Sequence, residues 1–465
     1  MSSYQQLFDQ QVAYFQHHNK QSGHSERIAK LKKLKAWIKA HEEHITQAVF
    51  QDFAKPPFET RLTELLLVIK EINLALSHLD EWMRDKKYNS PVYLLGAKSW
   101  VSPEPKGVSL IITPWNFPFM LSINPLVSAI AAGNCVILKP SELTPNCSAM
   151  LAEMISELFD PAEISVLQGG PDLSTELLSL PFHHIYFTGS PKVGKIVMQA
   201  AARNLSSITL ELGGQNPAIV HESARLKTTV RRLIWSKCMN SAQSCVAPNY
   251  VFVQRSIYPD FISEMKRQLN KFQSATEQAY KTAGIVNQKH FNRIRNLLEE
   301  SLNSGASALN EKVVDEEARR ISPLFLQDVK PDNPVMQQEI FGPLLPVLVF
   351  DSGEELINLI NAKERALALY IFARNKRFIQ SILKQTSSGS VMINDTTLQF
   401  ANNTLPFGGL NYSGIGKSHG YHGFLAFTNL RTVMKQHSRF SLISLLYPPY
   451  SRMKFKLLSF ITWKI

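Results

Sequence analysis

The sequence predicts an α/β protein with two sheet-containing domains, and three features support this prediction. The chain has 465 residues, which is more than one small hydrophobic core organises. It is 44% hydrophobic and 19% charged, a composition typical of globular proteins that bury a large apolar area. From residue 107 onward, short apolar runs alternate with helical segments, which favours mostly parallel sheets wrapped by helices.

The chain before residue 107 is predicted to be largely helical. Residues 26–53 and 62–83 repeat apolar side chains at helical spacing, so each is predicted to form an amphipathic helix. Residues 88–103 lose this period and contain two prolines and a glycine, which indicates an extended excursion away from the domain.

The short apolar runs are predicted strands, and they fall into two blocks. The first block, typical of a nucleotide-binding domain, contains residues 108–113, 135–138, 164–167, 184–187 and 208–212. The second block contains residues 217–220, 250–253, 344–350, 369–372 and 391–394. We predict a boundary near Gly213 and Gly214, with a first domain over residues 1–210, a second over 211–400, and loops and a tail over 401–465.

The charge and the cysteine content narrow the functional classes. The formal net charge is +12, but the basic residues are spread over many helices, and we find no zinc-ligand spacing, helix-turn-helix signature or aromatic-basic RNA motif. We therefore predict neither a nucleic acid nor a metal as a partner. The four cysteines form no C-x-x-C pair, and the N-terminus lacks the layout of a signal peptide, so we predict a reducing, cytoplasmic location.

The segment 240–248 contains a cysteine that a backbone turn could expose. Residues 224–240 are predicted as a helix, and Cys245 lies in the connection to the strand that follows. Such a connection can place a backbone N–H beside the sulfur, and oriented dipoles nearby can lower the pKa of a thiol. Two interpretations remain at this point, a nucleophile and a small buried hydrophobe. Cys238, by contrast, lies on the apolar face of the helix and is predicted to be a core residue.

Three further positions next to predicted strands each have two interpretations. Glu211 ends an apolar strand and precedes two glycines, so its carboxylate is either ion-paired or functional. Asn116 lies in a turn whose backbone two prolines fix, where asparagine is common for conformational reasons alone. Ser190 can cap a helix that begins with Pro191, and that helix N-terminus could face a pyrophosphate, although a simple capped helix explains the same residues.

Seven short motifs follow one another between residues 107 and 416. They are Pro114-Trp-Asn-Phe-Pro118, Leu138-Lys-Pro-Ser-Glu142, Phe187-Thr-Gly-Ser190, Leu210-Glu-Leu-Gly-Gly214, Gln243-Ser-Cys245, Glu339-Ile-Phe-Gly-Pro343, and Leu405-Pro-Phe-Gly-Gly409 with Ser413-Gly. In type and in order, they resemble the motifs of the aldehyde dehydrogenase superfamily, and within it the chain is similar to the class 3 branch. The agreement of seven separated motifs makes this resemblance specific.

The resemblance implies a fold, a reaction and three catalytic residues. It implies an α/β aldehyde dehydrogenase fold with a Rossmann-like cofactor domain, an α/β catalytic domain and a small oligomerisation element that includes residues 86–103. It implies NAD(P)-dependent oxidation of an aliphatic, fatty or aromatic aldehyde to the carboxylic acid. Cys245 would be the nucleophile that forms a thiohemiacetal and a thioester, Glu211 the general base that activates water, and Asn116 an oxyanion-hole donor.

The resemblance also implies a cofactor site, with NAD favoured and NADP possible as the cofactor. Lys139 and Glu142 would hold the adenosine ribose, Glu339 would hold the nicotinamide ribose, and Phe341 would line the ring. The remaining implied cofactor-binding residues are Thr113, Trp115, Gly189, Ser190 and Gly194.

Two positions depart from the family pattern. Gln215 stands where the family usually has lysine, and Ala242 stands where it commonly has glycine, so a positive φ at Ala242 would strain the loop.

The C-terminal tail has two interpretations. Residues 441–465 are apolar and basic, which fits packing on the body or on a partner subunit, or peripheral contact with a membrane surface. Class 3 relatives that oxidise fatty aldehydes often associate with membranes through C-terminal tails. The class 3 branch is typically homodimeric.

Overall fold

The structure is a computed structural model that describes residues 3–276, 282–437, 439 and 441–464. Its α-helices are α1 (Ser3–His17), α2 (His24–Ala40), α3 (Glu42–Phe53), α4 (Pro57–Thr60), α5 (Leu66–Trp82), α6 (Met120–Ala132), α7 (Pro145–Leu158), α8 (Pro171–Leu178), α9 (Pro191–Asn204), α10 (Leu226–Cys238), α11 (Tyr258–Thr276), α12 (Gln288–Asn303), α13 (Gly353–Asn361), α14 (Lys376–Gln385), α15 (Gly420–Ala426) and α16 (Arg452–Lys464). Its strands are β1 (Lys86–Tyr88), β2 (Lys98–Pro105), β3 (Val108–Ile112), β4 (Cys135–Lys139), β5 (Ile164–Val166), β6 (His184–Gly189), β7 (Ser207–Leu212), β8 (Pro217–Val220), β9 (Tyr250–Gln254), β10 (Ser307–Ala308), β11 (Val314–Asp315), β12 (Arg320–Ile321), β13 (Leu324–Gln327), β14 (Leu344–Phe350), β15 (Ala366–Phe372), β16 (Ser388–Ile393), β17 (Gly414–Ile415) and β18 (Thr428–Lys435).

The first sheet contains the strands predicted from the first block of apolar runs. It has six strands in the order β17-β7-β6-β3-β4-β5. The five strands from β3 to β7 are parallel, and β17 pairs antiparallel with β7 at one edge. Because the strands are parallel, their carboxyl ends meet at one edge of the sheet, which is where ligands bind in open α/β folds.

The second sheet confirms the second block of predicted strands. It has seven strands in the order β10-β13-β14-β9-β8-β15-β16, and all of its pairings except that of β10 with β13 are parallel. The chain passes from the first sheet to the second between β7 and β8. β15 and β16 each begin three residues before the predicted start, because their first residues include alanine, serine and glycine, which are poor strand signals.

The prediction of one continuous helix over residues 26–53 is wrong, since α2 and α3 are separated at His41. His41 has φ −113° and ψ 27°, outside the helical range, and its ring stacks on Trp37 with the centroids 4.0 Å apart. The apolar spacing continues across this break, because Ile38 and Ile45 are both buried. Periodicity alone therefore does not reveal it.

The predicted helix at residues 62–83 is present as α5, with an added feature at its start. A π-helical turn over Arg61–Leu65 precedes α5 and follows α4. α5 packs against α2, α6 and α15, so three helices surround it. Glu71 lies on α5 and is buried.

The predicted extended excursion forms a small antiparallel sheet. Its strand order is β1-β2-β18, and β2 pairs with β18 over the whole length of both strands. β18 is an edge strand with exposed apolar side chains, among them Leu430 and Met434. The sequence did not predict β18, because its mixed polar pattern gives no clear alternation.

The C-terminal tail is folded but largely exposed. The short turn Leu442–Leu446 contacts the turn Val92–Leu94, and α16 follows it. Met453 is 77% exposed and Phe455 is 72% exposed, so α16 presents apolar side chains to solvent. Within the described residues, we find no helix long and apolar enough to cross a membrane.

Candidate active site

Four of the predicted site residues lie together at the carboxyl edge of the first sheet. Thr113 follows β3, Lys139 ends β4, Gly189 ends β6, and Glu211 is the residue before the end of β7. These four strands are neighbours in the order β7-β6-β3-β4. The parallel topology therefore gathers residues that are far apart in the sequence.

The loop that carries Cys245 has an unusual backbone. Asn240, Ser241 and Ala242 have φ values of 51°, 50° and 56°, so three consecutive residues adopt the left-handed conformation. Asparagine tolerates this conformation, but alanine does so at a cost of about 1 kcal/mol. The departure at Ala242 thus falls on a position with positive φ, and the loop holds this strain just before its cysteine.

Hydrogen bonds from buried amides hold the cysteine loop in place. The Asn240 amide donates to the carbonyl oxygens of Asn116 and Gln243, at 2.7 and 3.1 Å. The Gln243 side chain donates to Gly284 O at 2.9 Å, and the Asn216 amide donates to the carbonyl of Cys245 at 2.7 Å. These bonds compensate for the strained backbone and fix the direction of the Cys245 side chain.

Asn116 lies beside the cysteine loop, as the sequence prediction requires. It is 3% exposed, and its Nδ2 donates to the carbonyl oxygen of Gln243 at 3.0 Å. A side-chain amide has two N–H groups, so this bond uses one and leaves the second for another acceptor.

Cys245 borders an apolar cavity, which we call the front cavity. The volume open to the centre of a water molecule inside this cavity is about 150 Å³. Its wall is mostly apolar and includes Leu62, Leu66, Phe117, Met120, Trp235 and Leu398. Leu62, Leu66, Trp235 and Leu398 are partly exposed at the surface, so they mark the mouth of the cavity.

The surroundings of Cys245 raise the pKa of its thiol, contrary to the expectation that oriented dipoles lower it. Burial raises this pKa most, and the carboxyl groups of Glu339 and Glu211 raise it further. The backbone N–H groups of Cys245 and Val246 face the sulfur and offset part of the increase. The sequence placed the N–H donors correctly, but it could not show that two carboxyl groups converge on the thiol.

Glu211 is buried, and only one of its oxygens has a hydrogen-bond partner among the described residues. Its Oε1 accepts a hydrogen bond from Ser418 Oγ at 2.8 Å, whereas Oε2 has none there. Burial raises the pKa of Glu211 to about 8, although Ser418 and Lys417 oppose the shift. Within the described part of the chain, Glu211 does not form the ion pair that was the alternative interpretation, and the group is suited to exchange a proton near neutral pH.

Glu339 approaches the loop that connects the two sheets. A Cβ at Gly213 would lie only 2.3 Å from Glu339 Oε2, so a side chain at this position would displace the Glu339 carboxyl group. Burial raises the pKa of Glu339 to about 7, and the N–H of Gly214 and the Arg293 guanidinium oppose the shift. A carboxyl group held this way can accept hydrogen bonds from the hydroxyls of a ribose.

The other residues assigned to the cofactor surround the same edge. Trp115 meets the ring of Phe341 edge to face, with centroids 5.4 Å apart, so the two rings form an apolar corner. Lys139 Nζ and Glu142 Oε2 are 2.8 Å apart. Ser190 caps α9 by accepting a hydrogen bond from Val193 N, which confirms the predicted cap. These residues fit a dinucleotide. Along one sheet edge they offer carboxylate oxygens that can accept hydrogen bonds from ribose hydroxyls, the Lys139 ammonium group and an aromatic surface.

Gly194 and Gln215 have structural neighbours that explain their identity. A Cβ at Gly194 would lie 2.7 Å from the Leu212 side chain, so glycine lets α9 pack closely on β7. Gln215 donates to Met336 O at 3.0 Å and accepts from Lys363 Nζ at 3.0 Å. Lys363 therefore places its ammonium group beside residue 215, the position where the family usually has lysine.

Sequence reasoning missed four residues near the catalytic groups. Asn216 and Ser418 form hydrogen bonds with Cys245 and Glu211, and His419 and Glu71 line the same cavity as Glu211. Asn216 had a signal, since it follows two glycines and precedes a strand. The others come from distant segments whose placement beside Glu211 depends on tertiary packing.

Three comparisons relate the chain to known proteins. A model described as the aldehyde dehydrogenase family matches residues 7–433. The chain is 40% identical over 431 residues to the 4,4'-diaponeurosporen-aldehyde dehydrogenase of Staphylococcus aureus, covering 92% of this chain and 93% of that protein. It is 39% identical over 430 residues to aldehyde dehydrogenase family 3 member A2 of Pongo abelii, covering 92% and 88%. A solved structure, the substrate-bound state of Staphylococcus aureus AldH, has a TM-score of 0.95 at 38% identity and covers 99% of this chain and 100% of that chain.

Proposed function

The chain belongs to the aldehyde dehydrogenase family and oxidises aldehydes with NAD(P), and we propose that Cys245, Glu211 and Asn116 carry out this oxidation. The observation that carries the proposal is the placement of Cys245 between two cavities. It borders the apolar front cavity on one side and the cavity that contains Glu211 on the other. An aldehyde can therefore enter from one side while the base acts from the other.

In the first half of the proposed reaction, the Cys245 thiolate adds to the carbonyl carbon of the aldehyde and forms a carbon–sulfur bond. The backbone N–H of Cys245 and the second N–H of the Asn116 amide stabilise the oxyanion that develops. Bound NAD(P) supplies the acceptor for the hydride that leaves this carbon. The acyl group then remains attached to Cys245 as a thioester.

In the second half, Glu211 takes a proton from a water molecule whose oxygen attacks the thioester carbonyl. The carbon–sulfur bond breaks, the Cys245 thiolate is released and the carboxylic acid forms. The unpartnered Oε2 of Glu211 is the oxygen that can accept this proton.

We assign the cofactor contacts to residues on both sides of the cleft. Glu339 and Phe341 would hold the nicotinamide side, whereas Lys139 and Glu142 would hold the adenosine ribose. Glu142 forms an ion pair with Lys139, and its carboxylate would repel the 2′-phosphate of NADP if that phosphate were bound by Lys139. This arrangement favours NAD over NADP.

Replacing Asn116 with alanine is expected to lower kcat about 100-fold to 1,000-fold, because one oxyanion donor is lost. Steady-state kinetics with a saturating aldehyde would measure the change. Asn116→Asp keeps the shape but removes the N–H groups, so it should be equally slow. An alanine variant with wild-type kcat would remove Asn116 from the mechanism.

We propose that the substrate is an aldehyde with an apolar chain, because the wall of the front cavity is mostly apolar. Each added methylene is expected to raise kcat/KM about 4-fold until the cavity is full, since burying one CH₂ contributes about 0.8 kcal/mol. A series of straight-chain aldehydes, tested with NAD and with NADP, measures this slope. A flat series would contradict an apolar binding site.

We also propose that α16 contacts a membrane surface from the cytoplasmic side. Met453 and Leu457 are exposed apolar side chains one helical turn apart on α16, Phe455 is also exposed, and the basic Arg452, Lys454 and Lys456 lie among them, a combination that suits an anionic lipid interface. Deleting residues 441–465 is expected to lower binding to anionic liposomes about 10-fold or more, measured by co-sedimentation. A Met453→Ser, Phe455→Ser variant should lose binding in the same way, and unchanged binding by both would exclude the role.

The proposed assembly is a homodimer, and the small antiparallel sheet supports it. β18 is an eight-residue edge strand that exposes Leu430 and Met434. Exposed strand edges pair readily with another chain. Association through this edge would cover both side chains.

A further inference from the structure

A small cavity lies on the other side of Cys245, and we call it the rear cavity; its wall is mostly apolar but includes several buried polar side chains. A water molecule's centre can occupy about 20 Å³ of it. Five residues that line it each have a buried polar atom without a hydrogen-bond partner within the described part of the chain. These atoms are Glu71 Oε2, Asn124 Oδ1, Thr188 Oγ1, Glu211 Oε2 and His419 Nδ1.

So many unpartnered atoms around one cavity indicate ordered water. A buried polar group without a partner costs about 1–3 kcal/mol, and native proteins satisfy nearly all such groups. A cavity of this size holds a water molecule when two or more polar atoms face it. We propose that water in the rear cavity connects Glu211 to Glu71, and that Glu71 is a second carboxylate that takes up the proton during thioester hydrolysis. This proposal rests on the proposed roles of Cys245 and Glu211.

Glu71 is placed to exchange protons and not to form an ion pair. It is 3% exposed and lines the rear cavity, and its Oε1 accepts a hydrogen bond from the N–H of Gly420 at 2.7 Å. The Asn403 side chain lies near this carboxyl group and opposes the rise of its pKa, while Oε2 has no hydrogen-bond partner of normal geometry among the described residues. Burial raises the pKa of Glu71 to about 7, close to the value of about 8 for Glu211. The two carboxyl groups therefore hold a proton with similar strength, so a proton can move between them with little cost.

The other titratable groups at the rear cavity suit a relay through water. They are Tyr186, Cys245 and His419, with Lys417 close enough to Glu211 to oppose its pKa shift. Burial lowers the pKa of His419 to about 4, so its ring is neutral and has one N–H donor and one acceptor nitrogen. Burial raises the pKa of the Tyr186 phenol most, and the carboxyl groups of Glu211 and Glu71, which line the same cavity as this ring, raise it further.

The proposed step conserves protons and bonds. Glu211 takes the proton of the attacking water, and a proton then passes through water from Glu211 to the Glu71 carboxylate. Glu211 becomes ionised again while Glu71 becomes neutral. The rear cavity shares Cys245, Met120 and Leu121 with the front cavity, so the proton on Glu71 can return to solvent through water after the acid departs. Glu71 thus acts through Glu211 and is a positioning residue.

The substitution Glu71→Gln tests this role, because glutamine keeps the acceptor for Gly420 N–H but cannot take up a proton. We expect kcat to fall about 10-fold to 100-fold, the lower range of a proton-transfer contribution. The rate of the first turnover, followed by stopped-flow absorbance of the reduced cofactor, should change by less than about 2-fold, since thioester formation does not use Glu71. The result is a burst of one reduced cofactor per active site followed by a slow phase.

Three further measurements separate this role from a structural one. Glu71→Asp retains the carboxyl group and should recover most of kcat. Glu81→Gln, an exposed position on the same helix, should behave as wild type. Wild-type kcat for Glu71→Gln, or a first turnover that slows in parallel with kcat, would overturn the proposal. Wild-type protein that forms no reduced cofactor from aldehydes would instead refute the proposed function itself.

Discussion

Replacing Cys245 with alanine is expected to lower kcat/KM for aldehyde oxidation at least about 10⁴-fold, because no other group can form the thioester. The cysteine side chain is small and borders both cavities, so its loss should leave the fold intact. Absorbance of the reduced cofactor with a saturating aldehyde measures the activity, and thermal unfolding checks the fold. Cys245→Ser should be similarly slow, because a hydroxyl at this position is far less ionised than a thiol.

Cys238 provides the matched control for this prediction. It lies at the end of α10 within the hydrophobic core, and the same change to alanine removes a similar sulfur only seven positions away. Unlike Cys245, it lines neither the front cavity nor the cavity that contains Glu211, so an aldehyde in those cavities does not reach its thiol. Cys238→Ala is expected to keep activity within about 3-fold of wild type, at a cost of about 1 kcal/mol in stability. Dehydrogenase activity that survives in Cys245→Ala but is lost in Cys238→Ala would reverse the assignment.

The fold was predictable because its signals are local. Each parallel strand of the first sheet is a short apolar run that is buried on both faces, and such runs stand out from the helices between them. β18 and the break at His41 were not predictable, for different reasons. β18 is an exposed edge strand whose side chains do not alternate, and the break leaves the apolar spacing unchanged.

The candidate site was predictable where one motif carries both the residue and its surroundings. Cys245, Asn116 and Ser190 lie in short motifs, and the structure places them in the loops and caps that those motifs favour. The surroundings of Glu211 were not predictable, because Ser418, which bonds to it, and Glu71, which lines the same cavity, come from segments more than one hundred residues away. The direction of the pKa shift of the Cys245 thiol was not predictable for the same reason, since it depends on how deeply tertiary packing buries the sulfur and on two carboxyl groups from distant segments.

Replacing Glu211 with glutamine is expected to lower kcat about 100-fold to 10,000-fold, because glutamine cannot take a proton from water. Thioester formation does not need this base, so the first turnover should still release one reduced cofactor per site before the enzyme stalls. Rapid acid quenching followed by mass spectrometry should then show the acyl group on Cys245. A variant that loses the first turnover as well would assign Glu211 to an earlier step.

The pH dependence of wild-type hydrolysis follows from the raised pKa of Glu211, which is about 8. Only the ionised carboxylate acts as a base, so the hydrolysis rate should rise about 10-fold per pH unit below pH 7 and level off above pH 8 to 9.

The stability of the folded protein changes with pH in the opposite direction. Between the ordinary Glu211 pKa of 4.5 and the folded value, the folded state keeps a proton that the unfolded chain has lost, so stability falls as the pH rises through this window. Glu211→Gln removes this term, and its melting temperature should therefore exceed that of wild type by more at pH 9 than at pH 6. An equal difference at both pH values would mean that Glu211 is ionised in the folded protein at pH 6, and the base would then act without a raised pKa.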